Sequence, residues 1–202
     1  MEYNHCCRVV LTGGPGGGKT TAADLFRREL GSEVVIVPEA ATLLYLGGFP
    51  RSTEIEVRKA TQRAIYHVQR NLEDIQFINY KNRILLCDRG TIDGVAYWPN
   101  EQSGFFHHLG TTLQDEIARY DAVVFFESAA VGGMSIEGGN PIRTESSEEA
   151  ITLNERLYKA WSQHPKFYLI KHEISFFRKI SAGLDVLNEI VKMHHARVKI
   201  PR

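Results

Sequence analysis

Short apolar runs alternate with longer amphipathic stretches along this chain of 202 residues. Five of the runs contain few polar residues, which is typical of strands that are buried on both faces of a sheet. The predicted strands lie at residues 7–12, 33–39, 83–88, 121–127 and 166–170. Pro38 stops the second strand, because proline cannot donate a hydrogen bond to a neighbouring strand.

Helical periodicity fills the sequence between these runs. The predicted helices span residues 20–30, about 53–80, 111–120, 146–163 and about 174–193. In the longest helix, apolar residues recur every three or four positions and are predicted to form its buried face: Val57, Ala60, Ala64, Val68, Leu72, Ile75 and Ile78. Ser146 and Glu149 match the S-x-x-E capping box that starts a helix.

Strands that alternate with crossover helices predict an α/β fold with a parallel sheet, and residues 1–202 are expected to form one domain. Ligands of such folds bind beyond the carboxyl ends of the strands. This rule places five residues nearest the predicted site: Gly13, Glu39, Asp88, Glu127 and Lys171.

A glycine-rich segment follows the first strand and precedes the first helix. Its sequence GGPGGGKT matches the phosphate-binding pattern G-x-x-x-x-G-K-[ST] in the required context. The predicted nucleotide contacts are Gly13, Gly14, Pro15, Gly16, Gly17, Gly18, Lys19, Thr20 and Thr21. Glycines let backbone N–H groups turn towards phosphate oxygens, while Lys19 reaches the β- and γ-phosphates and Thr20 holds Mg²⁺. The segment predicts binding of ATP, or of GTP, together with Mg²⁺.

The third strand ends in Asp88-Arg89, which narrows the class of phosphate-loop protein. Regulatory GTPases carry D-x-x-G and N-K-x-D, and neither motif occurs in this sequence. Motor ATPases end this strand in Asp-Glu, so the glutamate that activates water is absent after Asp88. Asp-Arg at this point resembles small-molecule kinases such as thymidylate and deoxynucleoside kinases. Such kinases imply a sheet of order 2-3-1-4-5, flanked by helices and covered by a small lid. Asp88 is then a metal ligand, and Arg89 holds the acceptor or the transferred phosphate.

Glu39 ends the second strand, close to where deoxynucleoside kinases place the carboxylate that takes a proton from the acceptor hydroxyl. A general base at this position needs to lie within hydrogen-bond reach of that hydroxyl. The other interpretation is that Glu39 caps the helix that follows it. The sequence leaves both open.

Residues 132–145 are rich in glycine, lack periodicity and occupy the place of the lid in such kinases. Arg143 is the arginine of this segment. A lid arginine neutralises charge on the transferred phosphate while the lid excludes water, whereas an arginine on a surface loop is often merely solvated.

Two further groups of residues have open roles. Basic side chains at the start of the long helix either bind an anionic acceptor or form a solvated face: Arg51, Arg58, Lys59 and Arg63. Aromatic residues further along form either the floor of a base-binding slot or part of the core: Tyr97, Trp98, Phe105 and Phe106.

Composition excludes several other classes of protein. Lys and Arg together number 24, as do Asp and Glu, so the charge balance gives no reason to expect binding to nucleic acid or to a membrane surface. No apolar run approaches the length of a membrane span and no signal peptide is visible, so we expect a cytoplasmic protein. Cys7 and Cys87 lie in apolar runs and are expected to be buried thiols.

Four blocks of sequence together resemble one family. They are VVLTGGPGGGKTT, PEAAT, LLCDRGTIDGVAYW and PIRTESSEEAITLNERLYKAWSQHP, in that order. They resemble the AAA-like ATP-binding domain family, related to the kinase half of bifunctional nicotinamide-nucleotide adenylyltransferase/ribosylnicotinamide kinases. The resemblance implies a phosphate loop at Gly13 to Thr20, Asp88 as metal partner and Arg143 as lid arginine. It also points to Asp93 as a residue that faces the acceptor site.

Three functional hypotheses follow. The first is a kinase that transfers the γ-phosphate of ATP to a hydroxyl or a phosphate of a small molecule, with Lys19, Glu39, Asp88, Arg89 and Arg143 as its catalytic residues. The second is a nucleotide-dependent binding module or slow NTPase switch without an acceptor. The third is a nucleic-acid-processing ATPase, which the neutral charge balance disfavours.

Overall fold

The computed structural model of the chain describes residues 7–99, 103–134 and 145–198. Five strands form one parallel sheet: β1 (Cys7–Thr12), β2 (Val34–Val37), β3 (Ile84–Asp88), β4 (Ala122–Phe126) and β5 (Phe167–Ile170). The strand order is β2-β3-β1-β4-β5, with every neighbouring pair parallel. The predicted sheet and its order 2-3-1-4-5 are therefore confirmed.

The helices connect the strands and cover both faces of the sheet. They are α1 (Lys19–Leu30), α2 (Ala40–Leu46), α3 (Ile55–Asn79), α4 (Gly94–Tyr97), α5 (Ser103–Leu109), α6 (Leu113–Ile117), α7 (Ser147–Trp161) and α8 (Phe176–Val198). Short 3₁₀ helices lie at Gly31–Glu33, Thr91–Asp93 and Ala129–Gly132. None of the helices in the described ranges is both long and apolar enough to cross a membrane.

Two apolar clusters lie on opposite faces of the sheet. One packs α3, α5 and α7 against the sheet, and it includes Trp98 and Phe105. The other packs α1 and α8 against the sheet, and it includes Phe26 and Phe126. Cys7 and Cys87 are buried thiols, as predicted.

The prediction for the buried face of α3 was wrong. Ile75 and Ile78 are 52% and 66% exposed, whereas the most buried residues of the helix are largely polar: Thr61, Gln62, Tyr66, Gln69 and Glu73. The reason is that α3 crosses beside the carboxyl ends of β2 and β3, where charged and hydrogen-bonding groups converge. A helix face that meets such groups is polar even though it is buried.

The segments around the second half of the sheet also differ from the prediction. The region between β3 and residue 111, for which no helix was predicted, contains α4 and α5, and the helix predicted at 111–120 is shortened to α6. The capping box of α7 is present, since Ser146 accepts a hydrogen bond from the N–H of Glu149 and Glu149 accepts one from the N–H of Ser146.

Candidate nucleotide and acceptor site

The glycine-rich segment forms a tight loop between β1 and α1. The Lys19 side chain is 2% exposed, and its Nζ donates hydrogen bonds of 2.8 Å to the carbonyl oxygens of both Gly13 and Gly14. Gly13 has a φ of 130°, and a Cβ atom there would lie 1.9 Å from the carbonyl oxygen of Phe126. Because the loop passes directly over the end of β4, only glycine fits at this position.

Asn154 and Ser128, which were not predicted from the sequence, form hydrogen bonds that hold this loop in place. Asn154 on α7 accepts hydrogen bonds through Oδ1 from the N–H groups of Gly14 (3.2 Å) and Ser128 (2.9 Å). The Ser128 hydroxyl donates to the carbonyl oxygen of Pro15. Asn154 is buried four residues after Ala150 and three before Leu157, on the apolar face of α7. A polar residue at such a position is the signal that could have identified it.

Asp88 lies at the end of β3 beside the loop. Its side chain is buried, and its Oδ1 has no hydrogen-bond partner among the described residues. Burial, together with the nearby charge of Glu39, raises the pKa of Asp88 to about 6, and a hydrogen bond from the Thr20 side chain opposes this rise. A carboxylate oxygen without a partner beside a hydroxyl is a donor set that suits Mg²⁺, which takes few protein ligands beside phosphate. The residues present therefore fit the metal.

Within the described ranges, no cluster of three or more His, Cys, Asp or Glu residues suits a metal ion. This observation is compatible with Mg²⁺ at a phosphate loop, because most ligands of that ion are then water and phosphate oxygens.

Arg89 follows Asp88 and forms the centre of an ion-pair network. Its Nε lies 2.8 Å from Glu39 Oε1, and its Nη1 lies 3.0 Å from Asp93 Oδ2. Nη1 also donates to the carbonyl oxygen of Gly13, at 3.2 Å. Burial alone would lower the pKa of Arg89, but Tyr97, Glu39 and Asp93 raise it well above its usual value. The guanidinium thus connects β2, β3 and the phosphate loop as a permanent cation.

Glu39 is the residue immediately before α2, yet its carboxylate makes no hydrogen bond to the backbone of that helix. It accepts hydrogen bonds from Arg89 and from the Thr42 hydroxyl, the latter at 2.6 Å. Burial acts to raise the pKa of Glu39, but Arg89, Thr42 and Lys19 lower it below the ordinary value. The geometry thus favours a side chain directed towards Arg89 over a helix cap, and the group is a carboxylate at neutral pH.

Asp93 has more partners than the sequence suggested. Its carboxylate accepts hydrogen bonds from the Thr12 hydroxyl and from Trp161 Nε1, in addition to its ion pair with Arg89. Asp93 lines the cavity, and its side chain is 7% exposed. It therefore anchors Arg89 from the side opposite Glu39.

Gln69, on the buried face of α3, holds the two ends of this network together. Its Oε1 accepts a hydrogen bond from the N–H of Ala40 (3.1 Å), and its Nε2 donates to the carbonyl oxygen of Arg89 (3.2 Å). Arg89 adopts a φ of 74°, which is unusual for a residue with a side chain. One carboxamide therefore fixes the backbone next to Glu39 and the strained backbone of Arg89.

A buried polar cluster lies behind Gln69. Glu73 accepts hydrogen bonds from Tyr120 and Arg119, while Glu116 accepts them from Tyr66 and Thr91. Tyr120 connects the two halves, because its hydroxyl accepts from the Thr91 N–H. Burial raises the pKa of Glu73 despite its ion pair with Arg119. The cluster ties α3 to α6 and to the turn after β3.

One cavity joins these groups. Its walls include Lys19, Thr20, Glu39, Asp88 and Arg89 on the side of the phosphate loop, and three tyrosines on the other sides: Tyr45, Tyr66 and Tyr97. Burial raises the pKa of Tyr97 to about 12, so its hydroxyl stays neutral. Gln62 also faces the cavity and is 8% exposed.

The basic group predicted near the acceptor site is mostly elsewhere. Arg51 lines the cavity, with its guanidinium 4.0 Å from the centre of the Tyr45 ring. Arg58 instead donates to the carbonyl oxygen of Tyr97, and Lys59 pairs with Glu56 on the surface of α3. Arg63 is exposed. Among the predicted aromatic residues, Trp98 and Phe105 belong to the core, whereas Tyr97 lines the cavity.

Three further predictions concern Thr21, Glu127 and the lid with Arg143. Thr21 is exposed on the first turn of α1, and its contact with the α-phosphate stays a prediction. Glu127 accepts a hydrogen bond from the backbone N–H of His172. Arg143 and residues 135–144 of the predicted lid lie outside the described residues, while Glu145, directly after them, lines the cavity.

Comparisons with known proteins identify a family and a fold for this chain. A family model described as AAA domain matches residues 8–176. A deoxyadenosine kinase from M. mycoides, solved with bound dATP, has 16% identity and a TM-score of 0.62 over 90% of this chain and 99% of its own. A thymidylate kinase from Ehrlichia chaffeensis has 15% identity and a TM-score of 0.55 over 92% and 98%. Among curated proteins no match was found.

At these identities the two structural likenesses establish the fold. They confirm the predicted P-loop NTPase fold of the nucleoside- and nucleotide-kinase type. These matches do not test the predicted relation to ribosylnicotinamide kinases, which stays a prediction.

Proposed function

The chain belongs to the AAA domain family, and we propose that it is a kinase that transfers the γ-phosphate of ATP to a small-molecule acceptor. One observation carries the proposal. A single cavity places the phosphate-loop residues Lys19 and Thr20 next to Asp88, Glu39 and Arg89, and continues into a partly apolar chamber of tyrosines. Hydrolysis of a nucleotide needs only water as its second reactant, whereas a kinase needs a chamber in which the acceptor binds.

The phosphate loop and the end of β3 supply the donor side of the reaction. Lys19 neutralises charge on the β- and γ-phosphates after exchanging its bonds to Gly13 and Gly14 for phosphate oxygens. Thr20 and Asp88 would hold Mg²⁺, which when bound would offset the negative charge of the phosphates. Arg143 is proposed to approach from the lid.

The end of β2 supplies the acceptor side. Glu39 takes the proton from the acceptor group, because it is ionised at neutral pH and faces the cavity. Arg89 keeps Glu39 in place through their 2.8 Å ion pair. Holding the two reactants in line next to this pair lowers the entropic cost of transfer.

The proposal is tested by a screen for acceptors that stimulate formation of ADP from Mg²⁺–ATP. The panel holds nucleosides, nucleotides and vitamin precursors, and the expected result is a rate well above the background hydrolysis for at least one class. Lys19→Met and Glu39→Gln should each abolish the stimulated rate, whereas Glu56→Gln, an exposed carboxylate on α3, should leave it unchanged. A panel in which no compound stimulates ADP formation would contradict the proposal and favour a nucleotide switch.

A further inference from the structure

We infer that the acceptor receives the phosphoryl group on an uncharged hydroxyl and not on a phosphate. The inference rests on the proposed kinase function and specifies its substrate class. It follows from the charges that face the reacting end of the cavity, and above all from what Arg89 already binds.

Arg89 is the cation best placed to hold a phosphate of an acceptor, yet its charge is already matched by two carboxylates, Glu39 and Asp93. Nε bonds to Glu39, and Nη1 bonds to both Asp93 and the carbonyl oxygen of Gly13. An acceptor phosphate could bind the remaining nitrogen, Nη2, only next to these two buried carboxylates, or else would have to displace one of them from its ion pair. Repulsion between the like charges opposes the first arrangement, and the second leaves a carboxylate buried without a counter-charge.

The other charges that line the cavity add to this effect. Among the residues that the structure describes, four carboxylates face it: Glu39, Asp88, Asp93 and Glu145. The cations of the same part of the chain that face it are Lys19, Arg51 and Arg89. Lys19 is bound to the phosphate loop, where the donor nucleotide binds, and Arg89 is paired twice. A dianionic phosphate next to Glu39 would therefore meet net negative charge.

Arg51 does not change this conclusion at the reacting end. Its side chain is stacked on Tyr45, near the end of α2 and away from the Glu39–Arg89 pair. Arg58, Lys59 and Arg63 are absent from the cavity wall. The remaining wall offers neutral groups, among them the carboxamide of Gln62 and the hydroxyl of Tyr97, which suit an uncharged polar molecule.

The step balances with the groups already named. The acceptor hydroxyl oxygen forms a bond to the γ-phosphorus while the bond from that phosphorus to the bridging oxygen of ADP breaks. The hydroxyl proton passes to the carboxylate of Glu39 and then to solvent. The products are a phosphate monoester and ADP, so no further co-reactant is needed.

Matched pairs of compounds test the inference. Each pair consists of a nucleoside and its 5′-monophosphate: thymidine, deoxyadenosine, uridine and nicotinamide riboside with their phosphates. We expect ADP formation to be stimulated by unphosphorylated members and not by their monophosphates. Stimulation mainly by monophosphates would overturn the inference but leave the kinase proposal standing, whereas stimulation by neither member of any pair would overturn the kinase proposal and the inference with it.

A binding measurement tests the electrostatic cause separately from turnover. Titrations of thymidine, deoxyadenosine, uridine and nicotinamide riboside 5′-monophosphates are made calorimetrically, with a non-hydrolysable ATP analogue filling the phosphate loop. The wild type should bind each weakly, and Glu39→Gln should bind at least one of them about tenfold more tightly, because it frees Arg89 and removes a carboxylate. Glu56→Gln removes an exposed carboxylate outside the cavity and should not change the affinity. The electrostatic explanation would be refuted if the wild type bound the monophosphates tightly. It would also be refuted if a folded Glu39→Gln variant bound none of the monophosphates more tightly than the wild type does.

Discussion

Arg89 Nε lies 2.8 Å from Glu39 Oε1, an ion pair that joins the ends of two neighbouring strands. The two residues are 50 positions apart in the sequence. Their pairing places a general-base candidate next to the phosphate loop and keeps it ionised, because Arg89 lowers the pKa of Glu39 against the effect of burial. The same guanidinium holds Asp93, so one arginine organises the end of the cavity at which the acceptor is proposed to bind.

Replacement of Arg89 by lysine should destabilise the protein. A lysine cannot form the two directed contacts with Glu39 and Asp93 at once, so one buried carboxylate loses its partner. We expect the free energy of unfolding to fall by about 3 kcal/mol, as for other broken buried pairs. Chemical denaturation measures this loss, and Arg28→Lys on the exposed side of α1 is the control. A loss equal to that of the control would show that the ion pairs contribute little.

Replacement of Asp88 by asparagine should stabilise the protein while weakening its binding of Mg²⁺–ATP. Because burial raises the pKa of Asp88 to about 6, the ionised side chain costs stability increasingly as the pH rises from 3.8, and the whole cost is present above about 6. We expect a gain of about 1–3 kcal/mol at slightly alkaline pH, which disappears towards pH values near 4. Thermal unfolding at several pH values measures this.

Asp24→Asn is the matched control, since Asp24 is exposed on α1 and outside the cavity. Unchanged or reduced stability of Asp88→Asn at alkaline pH would show that the unpartnered Oδ1 carries no such cost.

Replacement of Asn154 by alanine should weaken nucleotide binding although Asn154 does not line the cavity. The substitution removes the acceptor that holds the N–H groups of Gly14 and Ser128, so the phosphate loop loses its support. We expect an affinity for Mg²⁺–ATP about tenfold lower, from the loss of about 1–2 kcal/mol of preorganisation. Fluorescent-nucleotide binding measures it, with the exposed neighbour Glu155→Ala as control. Equal affinity in both variants would refute the supporting role.

Replacement of Gln69 by leucine should destabilise the fold and misplace the Glu39–Arg89 pair. It leaves the Ala40 N–H and the Arg89 carbonyl without partners inside the protein, at about 1–3 kcal/mol for each buried group. Asn71→Leu on the exposed side of the same helix is the control for the change from amide to leucine. Chemical denaturation that gives the two variants the same stability would contradict the role of Gln69.

In the alkaline range, the free energy of unfolding should rise with pH because of Lys179. Burial lowers the pKa of this lysine to about 8, against an ordinary value of 10.5, while Glu127 acts to raise it. Between those two pH values the unfolded chain binds more protons than the folded one, so the free energy of unfolding increases with pH. Urea denaturation across this window should show the rise in the wild type and a smaller one in Lys179→Met. Lys192→Met, on the exposed side of α8, should keep the full rise.

The sequence was most informative where a local pattern fixes the structure. Apolar runs such as ILLCD of β3 predict buried parallel strands, and Gly13 and Gly17 of the glycine-rich segment lie where the backbone passes too close to Phe126 for a side chain. Each of these signals is contained within a few consecutive residues of the chain. For this reason the sheet, its phosphate loop and the capped start of α7 could be predicted.

The remaining features depend on which distant residues meet. Glu39, Gln69 and Arg89 lie on three separate elements, and nothing in their immediate neighbours indicates that they bond to each other. The buried face of α3 was misassigned for the same reason, since hydrophobic periodicity assumes an apolar partner and this helix meets a polar one. Buried glutamines such as Gln62 and Gln69 in that helix were the available sign.

The most direct test of the proposed function follows the labelled γ-phosphate itself. Protein is incubated with Mg²⁺ and ATP labelled in the γ-phosphate, together with unphosphorylated acceptors from the pairs above, and the products are separated. We expect label in a new phosphate monoester with the wild type and none with Lys19→Met or Glu39→Gln. Label found only in inorganic phosphate, whatever acceptor is present, would contradict the proposed kinase function.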